Sequence, residues 1–145
     1  MIIDVNIQLE DGAVKPVKQH IGDAAFDCYT NEAVLIEPDR IAAVSLGFKL
    51  ELPSGYEAQI RPRSGNRLKT DIDVILGTVD SNYRGIVKAI VHNRNKEEQL
   101  VIKDGMPICQ MVIKEIPPVV LNVVDKIDTN TDRGDRGFGS TSIVK

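Results

Sequence analysis

Apolar and polar residues alternate along most of this chain with a period of two. Ile3, Val5, Ile7 and Leu9 are separated by polar positions, and Leu46, Phe48, Leu50 and Leu52 repeat the pattern. This spacing predicts strands with one buried face. The run Ile86-Val87-Lys88-Ala89-Ile90-Val91 is denser and predicts a strand covered on both faces. Ile108 to Ile113 and Val119 to Val124 continue the series. Turn-forming groups separate the runs: Glu37-Pro38-Asp39, Pro53-Ser54-Gly55, Asn93-Arg94-Asn95, Asp104-Gly105 and Pro117-Pro118. Only Ser64 to Thr70 reads as helical, and it is short. Many short strands with closely spaced turns predict an all-β sandwich or barrel.

From Asp125 to Lys145 the apolar residues thin out, and Gly, Ser, Thr, Asp and Arg replace them. Such a segment cannot hold itself down by burial. The chain is therefore expected to comprise one β domain over residues 1–124 and a flexible, Gly-rich C-terminal arm over 125–145. At 145 residues it can bury a sizeable core, and with aromatics at 4% and no Trp that core must be aliphatic. The net charge of −3 carries no chain-wide basic footprint for nucleic acid. No apolar run approaches the ~20 residues of a membrane span, and no charged-then-apolar leader opens the chain, so a cytoplasmic protein is expected. Cys28 and Cys109 lie far apart and form no CxxC pair; buried free thiols are the expectation.

Five polar islands interrupt the strands. They are Ala24-Ala25-Phe26-Asp27, Pro62-Arg63-Ser64-Gly65, Gly77-Thr78-Val79-Asp80-Ser81-Asn82-Tyr83-Arg84-Gly85, Gly105-Met106-Pro107-Ile108-Cys109-Gln110-Met111, and Arg133-Gly134-Asp135-Arg136-Gly137-Phe138-Gly139-Ser140-Thr141. Their content suits a phosphate-rich ligand: Gly for close backbone approach, Arg for phosphate oxygens, and a carboxylate to activate water. Each residue also has a plainer use. Asp80 and Asp27 could be turn carboxylates, Arg63 a surface ion pair, Ser64 a helix N-cap, and the tail a frayed terminus. Gln110 is harder to dismiss, because an amide inside an apolar run needs a partner.

In order and spacing, these islands resemble the five motifs of the trimeric dUTP pyrophosphatases (dUTPases), from about Asp23 to Thr141. The resemblance implies a jelly-roll-like β-barrel that assembles as a homotrimer and hydrolyses dUTP to dUMP and pyrophosphate with Mg2+. It implies that Asp80 is the base for the attacking water and that Tyr83 packs against the deoxyribose and leaves no room for a 2′-hydroxyl. Val74 to Val79, including Gly77, would be a hairpin reading uracil through its backbone. Arg63, Ser64, Gly65 and Gln110 would meet the phosphates. Asp27 would sit near the waters of a magnesium held by the triphosphate, not directly by the protein. Arg133, Gly139, Ser140 and Thr141 would close on the γ-phosphate, with Phe138 over the uracil. The sites would be shared between subunits, so that dUTP and two further copies of the chain are the expected partners.

The chain departs from the family pattern at Ala25, Asn66-Arg67, Asp71, Asn82, Arg136 and Ser142. Two other readings belong beside this one. The dCTP deaminases resemble the same fold, but their Arg-Ser-Ser motif comes with a nearby catalytic Glu. Here Gly65 follows Ser64, and no Glu lies between Glu57 and Glu97. A regulatory protein that uses the dUTPase fold to bind a protein partner is the other, as some phage-encoded members do.

Overall fold

The computed structural model describes residues 1–139. Eleven strands and one helix follow in order among these residues: β1 (Asn6–Leu9), β2 (Phe26–Tyr29), β3 (Val34–Ile36), β4 (Ile41–Ser45), β5 (Phe48–Glu51), β6 (Tyr56–Arg61), α1 (Ser64–Lys69), β7 (Ile72–Ile75), β8 (Gly77–Val79), β9 (Lys88–Asn93), β10 (Leu100–Ile102) and β11 (Pro107–Glu115). The pairing is antiparallel throughout. A four-stranded sheet runs β2-β11-β6-β8, a three-stranded sheet runs β4-β9-β7, and two ribbons pair β1 with β5 and β3 with β10. The fold is a jelly-roll-like, all-β arrangement.

Period-two patterning explains how these layers meet. Leu46, Phe48, Ile60, Ile72, Val87, Val91, Ile102 and Ile108 are each at most 1% exposed. Burying one such side chain is worth roughly 1.5–3 kcal/mol, so the sheets are held mainly by this aliphatic interior. Asn93 is buried among them with its polar atoms satisfied. Its amide donates to the carbonyls of Ile36, Glu37 and Glu98 at 3.0, 3.2 and 2.9 Å, and its Oδ1 accepts from the Asn95 N–H. Cys28 and Cys109 are free, buried and directly opposed across β2 and β11. Hydrogen bonding to Cys28, and then burial, pushes the Cys109 thiol well above its ordinary pKa, which keeps it a neutral core group.

Two strand expectations change. The dense run before residue 92 is covered on one face only: Val87, Ala89 and Val91 are buried, while Ile90 is 37% exposed. Ile90 pairs with Ala43 and Ile75, and with the exposed Ile41 these residues give the outer face of β4-β9-β7 an apolar surface. Val119 to Val124 alternates like a strand yet forms none. A strand needs a partner for its backbone, and this stretch finds none among the described residues; Leu121 is 90% and Val123 101% exposed.

Gly47 sits between β4 and β5 at φ +74°. A Cβ there would lie 2.6 Å from the Ala13 Cβ and 2.8 Å from the Asn31 Cγ. Its N–H donates to Ser45 Oγ and its carbonyl accepts from the Glu10 N–H at 2.8 Å, so the backbone cannot easily move away. Gly47→Ala should cost about 2–4 kcal/mol from left-handed strain and overpacking together. Urea unfolding at fixed protein concentration measures this, and a loss below about 0.5 kcal/mol would show that the turn relaxes freely.

Candidate functional site

The outer face of the four-stranded sheet gathers most of the chemistry. β11 lies between β2 and β6, and its register puts Gln110 opposite Asp27 on one side and opposite Arg61 on the other. Opposed residues share a face, so a carboxylate, an amide and a guanidinium form one row. They line a cleft of about 280 Å³ together with Asp23, Ala25 and Val112. The row faces outward because Cys28, Cys109, Met111 and Ile60, the alternate residues, fill the core.

Each member of the row is oriented. Asp27 Oδ1 takes the Arg63 Nε–H at 3.1 Å, and its Oδ2 takes a hydrogen bond from Gln19 Nε2 at 3.1 Å. The same Gln19 amide donates to the Tyr29 hydroxyl. Gln110 Nε2 donates to the Pro62 carbonyl at 3.1 Å, which supplies the partner its sequence position demands. Arg61 donates from Nε and Nη2 to Gln59 Oε1 at 3.1 and 2.6 Å, and Gln59 Nε2 donates to Glu57 at 2.6 Å. Arg61 and Gln19 were not singled out by sequence. Arg61 reads as one more outward polar residue of an alternating strand, and Gln19 lies in the loop before the first motif.

Helix α1 begins at Ser64, with Arg63 at the N-cap in extended conformation and no side-chain cap bond. The plainer use of Ser64 as a helix N-cap does not hold: Ser64 is the first helical residue, exposed beside Gly65. The departure Asn66 has a clear use. It is buried, and its amide donates to the carbonyls of Pro107 and Ile108 at 3.4 and 3.3 Å. Those residues flank the register shift between Pro107 and Cys109, so Asn66 ties the helix to the irregular start of β11. The helix ends at Thr70, whose hydroxyl donates to the Asn66 carbonyl at 2.7 Å. Neither Asp71 nor Ala25 has positive φ, so both side chains sit there without backbone strain.

Asp80 and Tyr83 sit elsewhere. Val74 and Val79 are buried, while Asp80 is exposed just past the end of β8. β8 pairs with β6 and β7 with β9, so Val74–Val79 is no hydrogen-bonded hairpin; the chain changes sheets at Leu76. Asp80 lines a cleft of about 640 Å³ with Glu57, Ser81, Asn82 and Pro117. The Tyr83 N–H bonds the Asp80 carbonyl at 3.1 Å, closing a turn. The Tyr83 hydroxyl donates to the Ile86 carbonyl at 2.9 Å, and a Cβ on Gly85 would come within 2.6 Å of its ring carbon Cζ. Gly85 is thus what lets the ring lie back on the turn with 46% of Tyr83 exposed. Glu57 and Arg61 are four residues apart on β6, about 13 Å of extended strand. One chain therefore holds the Asp80 cleft and the Asp27-Gln110 cleft apart.

The chain is exposed from residue 117 into the arm as far as Arg136. The Arg133 and Arg136 guanidiniums donate to each other's carbonyl at 2.7 and 2.9 Å. Phe138 has φ 50° and is fully exposed. Ser140 and Thr141 lie outside the described residues.

These features define a jelly-roll-like, all-β protein with a polar outer face of oriented carboxylate, amide and guanidinium groups. The dUTPase family model matches residues 12–142, and the chain belongs to that family. It is 42% identical over 140 residues to the deoxyuridine 5′-triphosphate nucleotidohydrolase of Clostridium acetobutylicum, covering 95% of each chain. Its fold is similar to that of the dUTPase of Staphylococcus bacteriophage 80alpha bound to dUPNHPP, at TM-score 0.88 and 24% identity over 97% of this chain and 99% of that one. That protein is described as controlling transfer of virulence genes by a G protein-like mechanism. The dUTPase of phage phi11 of S. aureus, described with a structural Mg(II) ion, matches at TM-score 0.80 and 22% identity over 85% of this chain and 97% of that one. Among the described residues no helix is long and apolar enough to cross a membrane.

The Asp27–Arg63 pair is partly shielded, with side chains 15% and 30% exposed. Asp27→Ala and Arg63→Ala should each destabilise the protein, and the double variant should cost less than their sum by about 1 kcal/mol. A double-mutant cycle in urea reads this coupling, and strict additivity would show that the contact contributes nothing.

Proposed function

We propose that the chain is a dUTP diphosphatase, hydrolysing dUTP to dUMP and pyrophosphate and so keeping uracil out of DNA. Water attacks the α-phosphorus, the bond from that phosphorus to the α–β bridging oxygen breaks, and pyrophosphate leaves. Asp80 takes the water's proton, as its exposed carboxylate in a roomy cleft allows. Gln110 lines the second cleft and Arg63 bonds Asp27 there, which supports assigning both to the phosphate chain, with Ser64 and Gly65 next to Arg63 in sequence. Backbone at Val74, Gly77 and Val79 reads the uracil; the buried side chains of Val74 and Val79 leave only the main chain for that task. Tyr83 offers the exposed ring face for the sugar.

The observation that carries the reading is the pair of separated half-sites on one sheet, in a chain whose relatives are dUTP nucleotidohydrolases. The half-sites become one site if Asp80 and Tyr83 of one copy meet Arg63 and Gln110 of a neighbour in a closed trimer. The arm, with Arg133, Phe138 and Gly139, then reaches a third copy's contribution. The exposed apolar residues from Val119 to Ile127 suit burial against such a neighbour. We place the enzyme with the nucleotide pool in the cytoplasm.

Magnesium fits this arrangement. No group of three or more acidic, His or Cys side chains gathers among the described residues, and both oxygens of Asp27 already accept hydrogen bonds. An ion that keeps its waters and binds mainly through phosphates suits such a place, with Asp27 and Asp23 accepting from those waters. When bound it neutralises charge on the triphosphate.

A second reading, a regulatory protein that uses the dUTPase fold to bind a protein partner, draws on the described role of the phage 80alpha protein. Pull-downs with and without dUTP test it.

The direct experiment is pyrophosphate release across the common nucleoside triphosphates. The parent should act strongly on dUTP and weakly on dTTP, dCTP and UTP, because a site that hydrogen-bonds its base closely rejects misfits by several powers of ten. Asp80→Asn should lower kcat about 10²–10⁴-fold with KM little changed. Equal rates on dUTP and dCTP, or a fully active Asp80→Asn, would overturn the reading.

A further inference from the structure

The cleft lined by Asp27 and Gln110 holds a cation outside the motifs, and its charge is unspent. Arg61 is half-buried, projects from β6 into the row with Gln110, and lines the cleft. Of the two carboxylates in the cleft, Asp27 is paired with a cation and Asp23 lies beyond ion-pair distance of Arg61. Asp27 is bonded to Arg63 and Gln19, and Asp23 accepts from the His20 N–H at 2.9 Å. Arg61 forms no ion pair among the described residues. Its Nε and Nη2 are held by a neutral acceptor, Gln59 Oε1, at 3.1 and 2.6 Å. The amide of Gln59 is fixed in turn by Glu57. A guanidinium oriented by an amide keeps its full charge and its Nη1 donors for something else. Arg63, by contrast, gives its Nε to Asp27.

We infer that Arg61 binds a phosphate group of the substrate, with Gln59 as its positioning residue. This rests on the reading of the cleft as a phosphate site. The ligand class is a phosphoanhydride chain, as in a nucleoside triphosphate or inorganic pyrophosphate. The cross-strand row then has a division of labour: Gln110 supplies an amide, Asp27 holds Arg63, and Arg61 supplies a positive charge that no carboxylate contacts directly.

Titration of the full chain with inorganic pyrophosphate tests this, using the parent, Arg61→Gln, Arg61→Lys, Gln59→Leu and Arg63→Gln at low and high salt. Arg61→Gln should weaken binding about ten- to hundredfold, the range for a lost hydrogen bond to a charged group. Its affinity should also depend less on salt. Gln59→Leu should weaken binding by less, because the charge remains but is no longer aimed, and Arg61→Lys should fall between parent and Arg61→Gln. Deoxyuridine, which lacks phosphate, should bind all variants as it binds the parent, which separates lost phosphate contacts from lost folding. Parent-like pyrophosphate affinity in Arg61→Gln beside a weakened Arg63→Gln would overturn the inference and leave the site reading standing. Parent-like affinity in both would overturn the site reading with it. Should Arg61→Gln fail to fold, parent-like affinity and salt dependence in both Arg61→Lys and Gln59→Leu would be enough to overturn it.

Discussion

The register of β11 between β2 and β6 is the constraint on which the rest depends. With Gln110 opposite both Asp27 and Arg61, every polar member of the row faces outward, and Cys28, Cys109, Met111 and Ile60 face the core. A one-residue slip of β11 would turn Gln110 into the core and Cys109 and Met111 out of it. Burying the Gln110 amide without a partner would cost about 1–3 kcal/mol, and exposing Met111 would add the loss of its burial, so this register is strongly specified. The shift between Pro107 and Cys109 is where β11 adjusts to that requirement. Asn66 secures it from α1, which also brings Arg63 to Asp27.

Much of the fold was legible in sequence because alternation is a direct consequence of pleated geometry. The runs around Phe48 and Met111 became strands, and the Ser64 helix formed as its short polar stretch suggested. Failures came where alternation has more than one cause. Val119 to Val124 carries a strand pattern without a strand partner in its own chain, because a pattern records which faces are apolar, not which molecule covers them. Ile90 looked buried on both sides, yet it joins Ile41 and Ile75 on an outer face.

The site was legible in part. Asp27 and Gln110 met as paired neighbours, and Arg63 reached Asp27, because an amide or a carboxylate within an apolar strand must be satisfied or functional. Arg61 was invisible for the opposite reason, since outward polar residues on a strand are ordinary. The Val74 to Val79 segment was misread as a hairpin because local sequence does not reveal that its two halves pair with different strands, β9 and β6. Asp71 and Ala25 looked like departures, and neither sits at a positive φ that would strain a side chain.

In the trimer we propose, neither cleft is a site alone: Asp80 of one copy serves Arg63 and Gln110 of another. Subunit complementation tests it most directly. Asp80→Asn and Arg63→Gln proteins, each nearly inactive on dUTP alone, are unfolded together in equal amounts and refolded. If each site draws these two residues from different copies, random assembly makes about a quarter of the sites intact. The account predicts recovery of up to that share of parent activity, appearing only after co-refolding. A co-refolded mixture no more active than the sum of its two parts, with mixed oligomers verified by mass, would place both residues in a single-chain site and contradict the account.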